Sequence, residues 1–130
     1  MILLDTHVVI WLALDQNRLS RKARAAIEDA RMKGDGLAIS DITLFEIAML
    51  VDKGRIGLDA SLESFLREVE TRFVVLPITG RACVRALGFA ADYPSDPADR
   101  LIGATAAVEG LPLVTADREM RQSKVLQTIW

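Results

Sequence analysis

Met1-Ile-Leu-Leu-Asp-Thr-His-Val-Val-Ile-Trp-Leu-Ala-Leu14 is the stretch of sequence that decides the fold. Its apolar run Ile2–Leu4 predicts a short buried strand, and Thr6–Leu14 predicts a helix that packs through apolar side chains. Asp5 stands at the junction between the two. A buried strand followed at once by a helix is the repeating unit of a parallel α/β sheet, so the remaining sequence should repeat the pattern.

The rest of the chain alternates in the same way. Ser20, Ser40 and Asp96 are well placed as helix N-caps, with Pro97 in the first helical position. Further strands are predicted at Leu37–Ile39, Phe73–Leu76 and Leu113–Thr115, with Val125–Ile129 as a weak edge strand, and further helices at Ser20–Lys33, Asp41–Lys53, Ser61–Thr71, Arg81–Asp92 and Ala98–Glu109, followed by a short one after Asp117. We therefore expect one domain over residues 1–130, a three-layer α/β/α fold with a mostly parallel sheet of four to five strands.

Composition excludes several classes of protein. No apolar run approaches the roughly 18 residues that cross a membrane, and the N-terminal residues have neither the positive region nor the cleavage signal of a leader. Cys83 is the only cysteine, so no internal disulfide can form. The expected compartment is the cytoplasm, with no membrane partner.

Four carboxylates, Asp5, Glu46, Asp99 and Asp117, occupy places that a parallel sheet would bring to one edge. Asp5 and Asp117 follow predicted strands, whereas Glu46 and Asp99 lie on helices that connect strands. The ligand site of such a sheet lies beyond the carboxyl ends of its strands. We therefore predict that the four acids converge there and form a pocket for a hard cation.

The sequence supports the four acids unequally. Glu46 shares an apolar helix face with Ile42 and Leu50, and a bare carboxylate there costs several kcal/mol unless it is paired or borders a cleft. Asp41 and Asp52, on the same helix, are expected to be solvated. By contrast, Asp5, Asp99 and Asp117 could each be explained as a helix cap or as an acid that complements a helix dipole. The case for these three acids as metal ligands therefore depends on the expected convergence of all four acids at one edge of the sheet.

The net charge of −2 is no strong objection to a nucleic-acid partner. The chain has 18 acidic and 16 basic residues, and if four acids form one site, the other 14 leave the remaining surface at +2. A bound divalent ion would further oppose the negative field of the site.

Four segments, which occur in the expected order along the chain, resemble PIN-domain ribonucleases. They are Leu3–Leu12, Ile39–Ile47, Asp96–Ala106 and Leu111–Asp117, so the first and last lie near opposite ends of the chain. The likeness is greatest to the small VapC-like toxins of bacterial toxin–antitoxin pairs. The resemblance implies Mg²⁺- or Mn²⁺-dependent endoribonuclease activity that leaves 5′ phosphate and 3′ hydroxyl ends. It also implies an RNA substrate, a cognate antitoxin, a homodimer and four metal-binding acids: Asp5, Glu46, Asp99 and Asp117. Asp96 would be an extra acid, and Thr6 and Thr115 would support the site by hydrogen bonds.

The donor chemistry agrees with that resemblance. Oxygen ligands favour Mg²⁺ or Mn²⁺, and a single histidine and a single cysteine are too few for an ordinary zinc site. Two alternatives stay open from the sequence: a receiver-like domain in which one Asp accepts phosphate, and a non-enzymatic binding module in which the acids are only caps. A receiver needs a lysine near the last strands, and Lys124 is poorly placed for it.

Several further residues are predicted to have no catalytic or substrate-binding role. His7, Arg100 and Arg118 adjoin site acids but receive no function, and the side chain of His7 is expected to diverge from that of Asp5. Trp11 is expected in the core and Cys83 in a helix without a partner. A solvated face is expected for the basic residues of the second helix, Arg21, Lys22, Arg24, Arg31 and Lys33. Tyr93 alone provides no platform on which RNA bases could stack.

Overall fold

The computed structural model describes residues 1–130 and contains one parallel sheet of five strands in the order β3-β2-β1-β4-β5. The strands are β1 (Ile2–Leu4), β2 (Leu37–Ser40), β3 (Val74–Leu76), β4 (Leu113–Val114) and β5 (Thr128–Ile129). The register places Leu3 beside Ala38 on one side and beside Leu113 on the other. β1 is therefore the central strand.

Seven helices connect and cover these strands: α1 (Thr6–Leu14), α2 (Arg21–Met32), α3 (Asp41–Asp52), α4 (Leu62–Arg72), α5 (Gly80–Leu87), α6 (Pro97–Glu109) and α7 (Arg118–Gln122). The predicted N-cap residues begin three of these helices. The side chains of Ser20, Ser40 and Asp96 each accept a backbone hydrogen bond at a helix start. Gly110 ends α6 in the left-handed conformation, at φ +65°, which a glycine adopts without the cost that a side chain imposes.

Side-chain alternation along the strands divides the core between the two faces of the sheet. Leu4, Ile39 and Val114 pack on the face covered by α1, α2 and α4, whereas Leu3 and Leu113 pack on the face covered by α5 and α6. The side chains of these strand residues are fully buried, and each such burial contributes about 1.5–3 kcal/mol. The three-layer α/β/α fold predicted from the sequence is thus confirmed, with a wholly parallel sheet of five strands.

Three local predictions need correction. The fifth helix ends at Leu87 rather than Asp92, because the chain turns at Gly88 and folds back to bury Tyr93. Asp41 is half-buried rather than solvated, since its Oδ2 accepts a hydrogen bond from the Ile78 backbone N–H at 3.1 Å. A 3-10 turn at Gln16–Arg18, between α1 and α2, was not predicted.

The strand order creates one topological switch point. From β1 the chain runs outward through β2 to β3, then returns to the opposite side of β1 to form β4 and β5. The crevice at such a reversal, beyond the carboxyl ends of the strands, is where ligands bind in open α/β sheets. Here it lies between the ends of β1 and β4. None of the helices has both the length and the apolar character needed to cross a membrane.

Candidate active site at the switch point

Asp5 lies at the bottom of the crevice and is only 2% exposed. Its Oδ1 accepts the backbone N–H of Thr6 at 2.8 Å and thereby caps α1. Its Oδ2 accepts the hydroxyl of Thr115, which follows β4, at 2.7 Å. The carboxylate is therefore a helix cap, as one interpretation of the sequence predicted, and also a bridge between the central strands.

Glu46 enters the crevice from α3 and is joined to α1 by hydroxyl groups. The Thr6 hydroxyl donates to Glu46 Oε1 at 2.5 Å, and Thr6 Oγ1 also lies 3.0 Å from Thr43 Oγ1. Because Thr6 has one hydroxyl proton, Thr43 must be the donor in that second contact. Thr43 is fully buried and lies one helical turn before Glu46. Because residues three apart on a helix are neighbours, this spacing could have identified Thr43 from the sequence as a support for Glu46.

Asp117 approaches the crevice from the loop after β4. Its backbone N–H donates to Thr115 Oγ1 at 3.0 Å, and its Oδ1 caps α7 by accepting the Met120 N–H at 2.9 Å. A single hydroxyl, that of Thr115, therefore contacts both Asp5 and the backbone of Asp117. Substitution at Thr115 should disturb both acids together.

Asp99 is placed by the first turn of α6. Its backbone N–H donates to Asp96 Oδ2 at 3.1 Å, and its carbonyl accepts the Tyr93 hydroxyl at 2.9 Å. The Tyr93 side chain reaches this carbonyl by passing over Gly103, where a Cβ would lie only 2.0 Å from the Tyr93 oxygen. Tyr93 is 2% exposed and holds the helix that carries Asp99, a role that sequence reasoning missed.

The four acids are near enough to influence one another electrostatically. Burial raises the pKa of Asp99 to about 7, and the negative charges of Asp5, Asp96, Asp117 and Glu46 add to that rise. Burial likewise raises the pKa of Glu46, against a lowering by the Thr6 hydrogen bond and with a further rise from Asp5 and Asp96. The fold therefore concentrates negative charge in the crevice.

No lysine or arginine neutralises this charge, since none of the four acids is in an ion pair with either residue type. Glu46 Oε2, Asp117 Oδ2 and both carboxylate oxygens of Asp99 accept no hydrogen bond from the protein, and all remain accessible. No group of three or more His, Cys, Asp or Glu side chains is arranged to hold a metal ion directly. The crevice thus offers individual free oxygens rather than a closed cage.

His7 contacts the site, contrary to the expectation that its side chain would diverge from that of Asp5. Its Nε2 accepts the Ala116 backbone N–H at 3.0 Å, so the neutral ring carries its proton on Nδ1, 3.5 Å from Asp5 Oδ2. His7 thereby links α1 to the loop before Asp117. Arg100 points away from the crevice, because its guanidinium donates to the carbonyls of Ala86, in the last turn of α5, and of Phe89 and Ala90, just beyond that helix.

A five-stranded parallel sheet with carboxylates at its switch point defines an α/β protein with an acidic ligand site. The model of the PIN domain family matches residues 2–125. The chain is 38% identical over 131 aligned residues to Ribonuclease VapC22 of Mycobacterium tuberculosis (strain ATCC 25618 / H37Rv), covering 99% of this chain and 98% of that protein.

Two solved structures are similar over nearly the whole chain. DNA-bound VapBC from Salmonella typhimurium is 25% identical with a TM-score of 0.69, and VapBC2 from Rickettsia felis, bound to a promoter DNA fragment, is 18% identical with a TM-score of 0.74. In both cases the match covers 98% of this chain and 97% of the other. The chain belongs to the PIN domain family, so the resemblance noted in the sequence is confirmed and the receiver-like alternative is set aside.

Proposed function

We propose that this protein is a divalent-metal-dependent endoribonuclease, and that it is the toxin of a toxin–antitoxin pair. The observation that carries the proposal is the mutual electrostatic influence of Asp5, Glu46, Asp99 and Asp117 near the switch point, with no lysine or arginine in an ion pair with any of them. Uncompensated carboxylates repel a phosphodiester, so a nuclease site of this kind requires a cation.

The residues fit Mg²⁺ or Mn²⁺. All available donors are oxygens, the ligands these ions prefer. Mg²⁺ keeps several of its own waters and is commonly held by only one or two carboxylates, which suits a crevice without a closed ligand cage. Free oxygens of Glu46, Asp99 and Asp117 would hold the ion, with Asp5 below them. When bound, the ion supplies Lewis-acid polarisation of a phosphodiester oxygen and lowers the pKa of an attacking water.

The chain's own residues supply rigidity and placement. The Thr115 hydroxyl fixes Asp5, and the paired hydroxyls of Thr43 and Thr6 fix Glu46. Asp99 keeps both carboxylate oxygens free on a helix turn that Tyr93 and Asp96 anchor. Because these anchors come from separate elements, the crevice keeps its shape before any ligand enters, which favours catalysis by positioning.

The substrate and partner proposals rest on the relatives. The 38% identical protein is named a ribonuclease, which supports RNA as substrate, and single-stranded or looped RNA can present a splayed backbone to an acidic groove. The VapBC structures, together with the VapC-like resemblance, support a cognate antitoxin as partner. A homodimer is proposed on the same resemblance.

Cleavage of labelled RNA by the purified protein tests the catalytic proposal. Mg²⁺ or Mn²⁺ should support cleavage and EDTA should stop it. Glu46→Gln with Asp99→Asn should abolish cleavage. The matched control is Asp52→Asn with Glu109→Gln, which removes two exposed acids from the far ends of the same two helices and should leave activity unchanged.

Two results would contradict the proposal. Full activity of the Glu46/Asp99 double variant would show that the acids are structural only, as in a non-enzymatic binding module. Cleavage that persists in EDTA would remove the metal requirement. Sequencing of RNA ends after induced expression would then identify the target, and 5′ phosphate ends would agree with attack by water rather than by the ribose 2′ hydroxyl.

A further inference from the structure

A cationic surface borders the acidic crevice on the β4–β5 side. A depression of about 580 Å³ is lined by six residues, three of which are basic: Lys22 from α2, and Arg118 and Arg121 from α7, with Gln122, Thr128 and Trp130. No carboxylate side chain lines it. The sequence separates Lys22 from the two arginines by about a hundred residues, and the packing of α2 and α7 beside β5 brings them together.

The charge of this surface is not neutralised within the protein. Lys22, Arg118 and Arg121 are exposed, and none is in an ion pair. Lys22 is exposed, as predicted for the basic face of α2, and it shares the depression with two arginines rather than with acids. Three unpaired cations around one depression repel one another, and a polyanion would relieve that repulsion.

Aromatic rings lie directly beside the cations. Trp130 lines the depression and packs against Trp11, with ring centroids 5.8 Å apart, and Trp11 packs against His7 at 4.8 Å. The Arg18 guanidinium lies 4.4 Å from the Trp11 ring centroid and adds a fourth cation. Both tryptophans are half-buried, so each is fixed by the core on one side and reaches the surface on the other.

This surface adjoins the acidic site at two points. His7, at one end of the aromatic row, lies 3.5 Å from Asp5 Oδ2, and Arg118 directly follows Asp117 in the chain. An RNA strand that rests on the rings would therefore lie close to the acidic site. Cations for phosphates beside rings for bases are the two elements of single-strand recognition, whereas an acidic peptide would use the cations alone.

We propose that Arg18, Lys22, Arg118, Arg121, Trp11 and Trp130 form a binding surface for single-stranded RNA and lead the substrate into the acidic crevice. The inference rests on the proposed function for the identity of the substrate, but its test measures binding without cleavage. No substrate-binding residues were predicted from the sequence.

Binding of a fluorescein-labelled single-stranded RNA of about 12 nucleotides, in EDTA to prevent cleavage, tests the surface. Affinity is measured between about 50 and 200 mM salt, where each phosphate contact contributes about 0.7 to the slope of log affinity against log salt. Arg118→Gln with Arg121→Gln should lower the slope by about 1.4. Trp130→Leu should weaken binding by roughly 5- to 100-fold.

The matched control is Lys53→Gln with Arg55→Gln, two exposed cations just beyond the far end of α3, which should leave the affinity and slope unchanged. Lys22→Gln, on an exposed helix position, is a second variant in case the α7 pair unfolds that short helix. Both tryptophans of the chain belong to the surface, so bound RNA should also quench tryptophan emission.

Outcomes separate this inference from the proposed function. If the wild type cleaves RNA but the Arg118/Arg121 and Lys22 variants match the control in affinity and slope, the surface is wrong and the nuclease stands. If RNA binds through the surface but the Glu46/Asp99 variant cleaves as well as the wild type, the surface stands and the assignment of the acids fails. If a polyglutamate peptide binds with the same salt slope and RNA does not, the surface serves an acidic protein and the proposal is overturned.

Discussion

Replacing Asp99 with Asn should stabilise the metal-free protein at pH 8, although the acid is proposed to be essential for activity. The folded protein raises the pKa of Asp99 from 3.8 to about 7 through burial and the surrounding acids. Below about pH 3 the carboxyl is protonated in both folded and unfolded chains, and it has no effect on stability. As the pH rises to 7 the unfolded chain ionises first, so stability falls, and the full loss remains at pH 8.

The structure sets the size of this effect. The separation between the two pKa values corresponds to an upper limit of about 4 kcal/mol, since each pH unit is worth about 1.36 kcal/mol. Asp99 is only partly buried, and solvent screens its interactions with the other acids. We therefore expect Asp99→Asn to raise the free energy of unfolding by about 1–2 kcal/mol at pH 8 and by close to zero at pH 4.

Urea denaturation in EDTA at both pH values measures the effect, with Asp52→Asn as the control because Asp52 is an exposed acid on α3. Addition of Mg²⁺ at pH 8 should stabilise the wild type more than the variant, because a ligand that binds only the folded state adds to its stability. An Asp99→Asn protein that is no more stable than the wild type at pH 8 would refute the account of concentrated negative charge.

Three further predictions concern the supports of the site and the outer surface. Thr115→Val should lower the free energy of unfolding by about 1–3 kcal/mol and reduce RNA cleavage, because a buried hydroxyl that contacts both Asp5 and Asp117 is lost. Thr105→Val is the control: it removes a hydrogen bond within α6 alone and should largely retain cleavage. Gly103→Ala should cost about 1–3 kcal/mol and alter the near-ultraviolet circular dichroism of Tyr93, since its Cβ would occupy the place of the Tyr93 hydroxyl; an unchanged spectrum would contradict the contact. Val84→Gln with Leu87→Gln should shift the protein towards a monomer in light scattering, because these apolar side chains on α5 are 74% and 85% exposed, and Arg81→Gln with Arg85→Gln on the same helix is the control.

Much of the fold follows from local sequence. Ser20, Ser40, Asp5 and Asp117 mark helix starts by chemistry that acts within three residues, and short apolar runs mark the strands, so element positions were predicted well. The fifth helix was predicted too long because Ala90 and Ala91 suit a helix, whereas burial of Tyr93 against the distant α6 ends it at Leu87.

The position of the four acids at one edge of the sheet could be predicted from the sequence, whereas the contacts that hold them could not. Acids at strand ends and on connecting helices converge as a consequence of parallel topology, which alternation in the sequence already implies. The contacts of Thr43 with Thr6, of Tyr93 with Asp99, and of Trp11 with Trp130 depend on how helices dock, and residue types alone do not encode those distances. Asp41 was misjudged for the same reason, since its partner Ile78 lies 37 residues away.

The central position of β1 has a consequence for synthesis. One of the two strands that neighbour β1, β4, is made about 110 positions after it, and the Thr115 hydroxyl that fixes Asp5 follows β4. Proteins are released N-terminus first at a few to about 20 residues per second, so the crevice cannot assemble on an incomplete chain. The four acids can therefore meet only after β4 and the loop that carries Asp117 have been made.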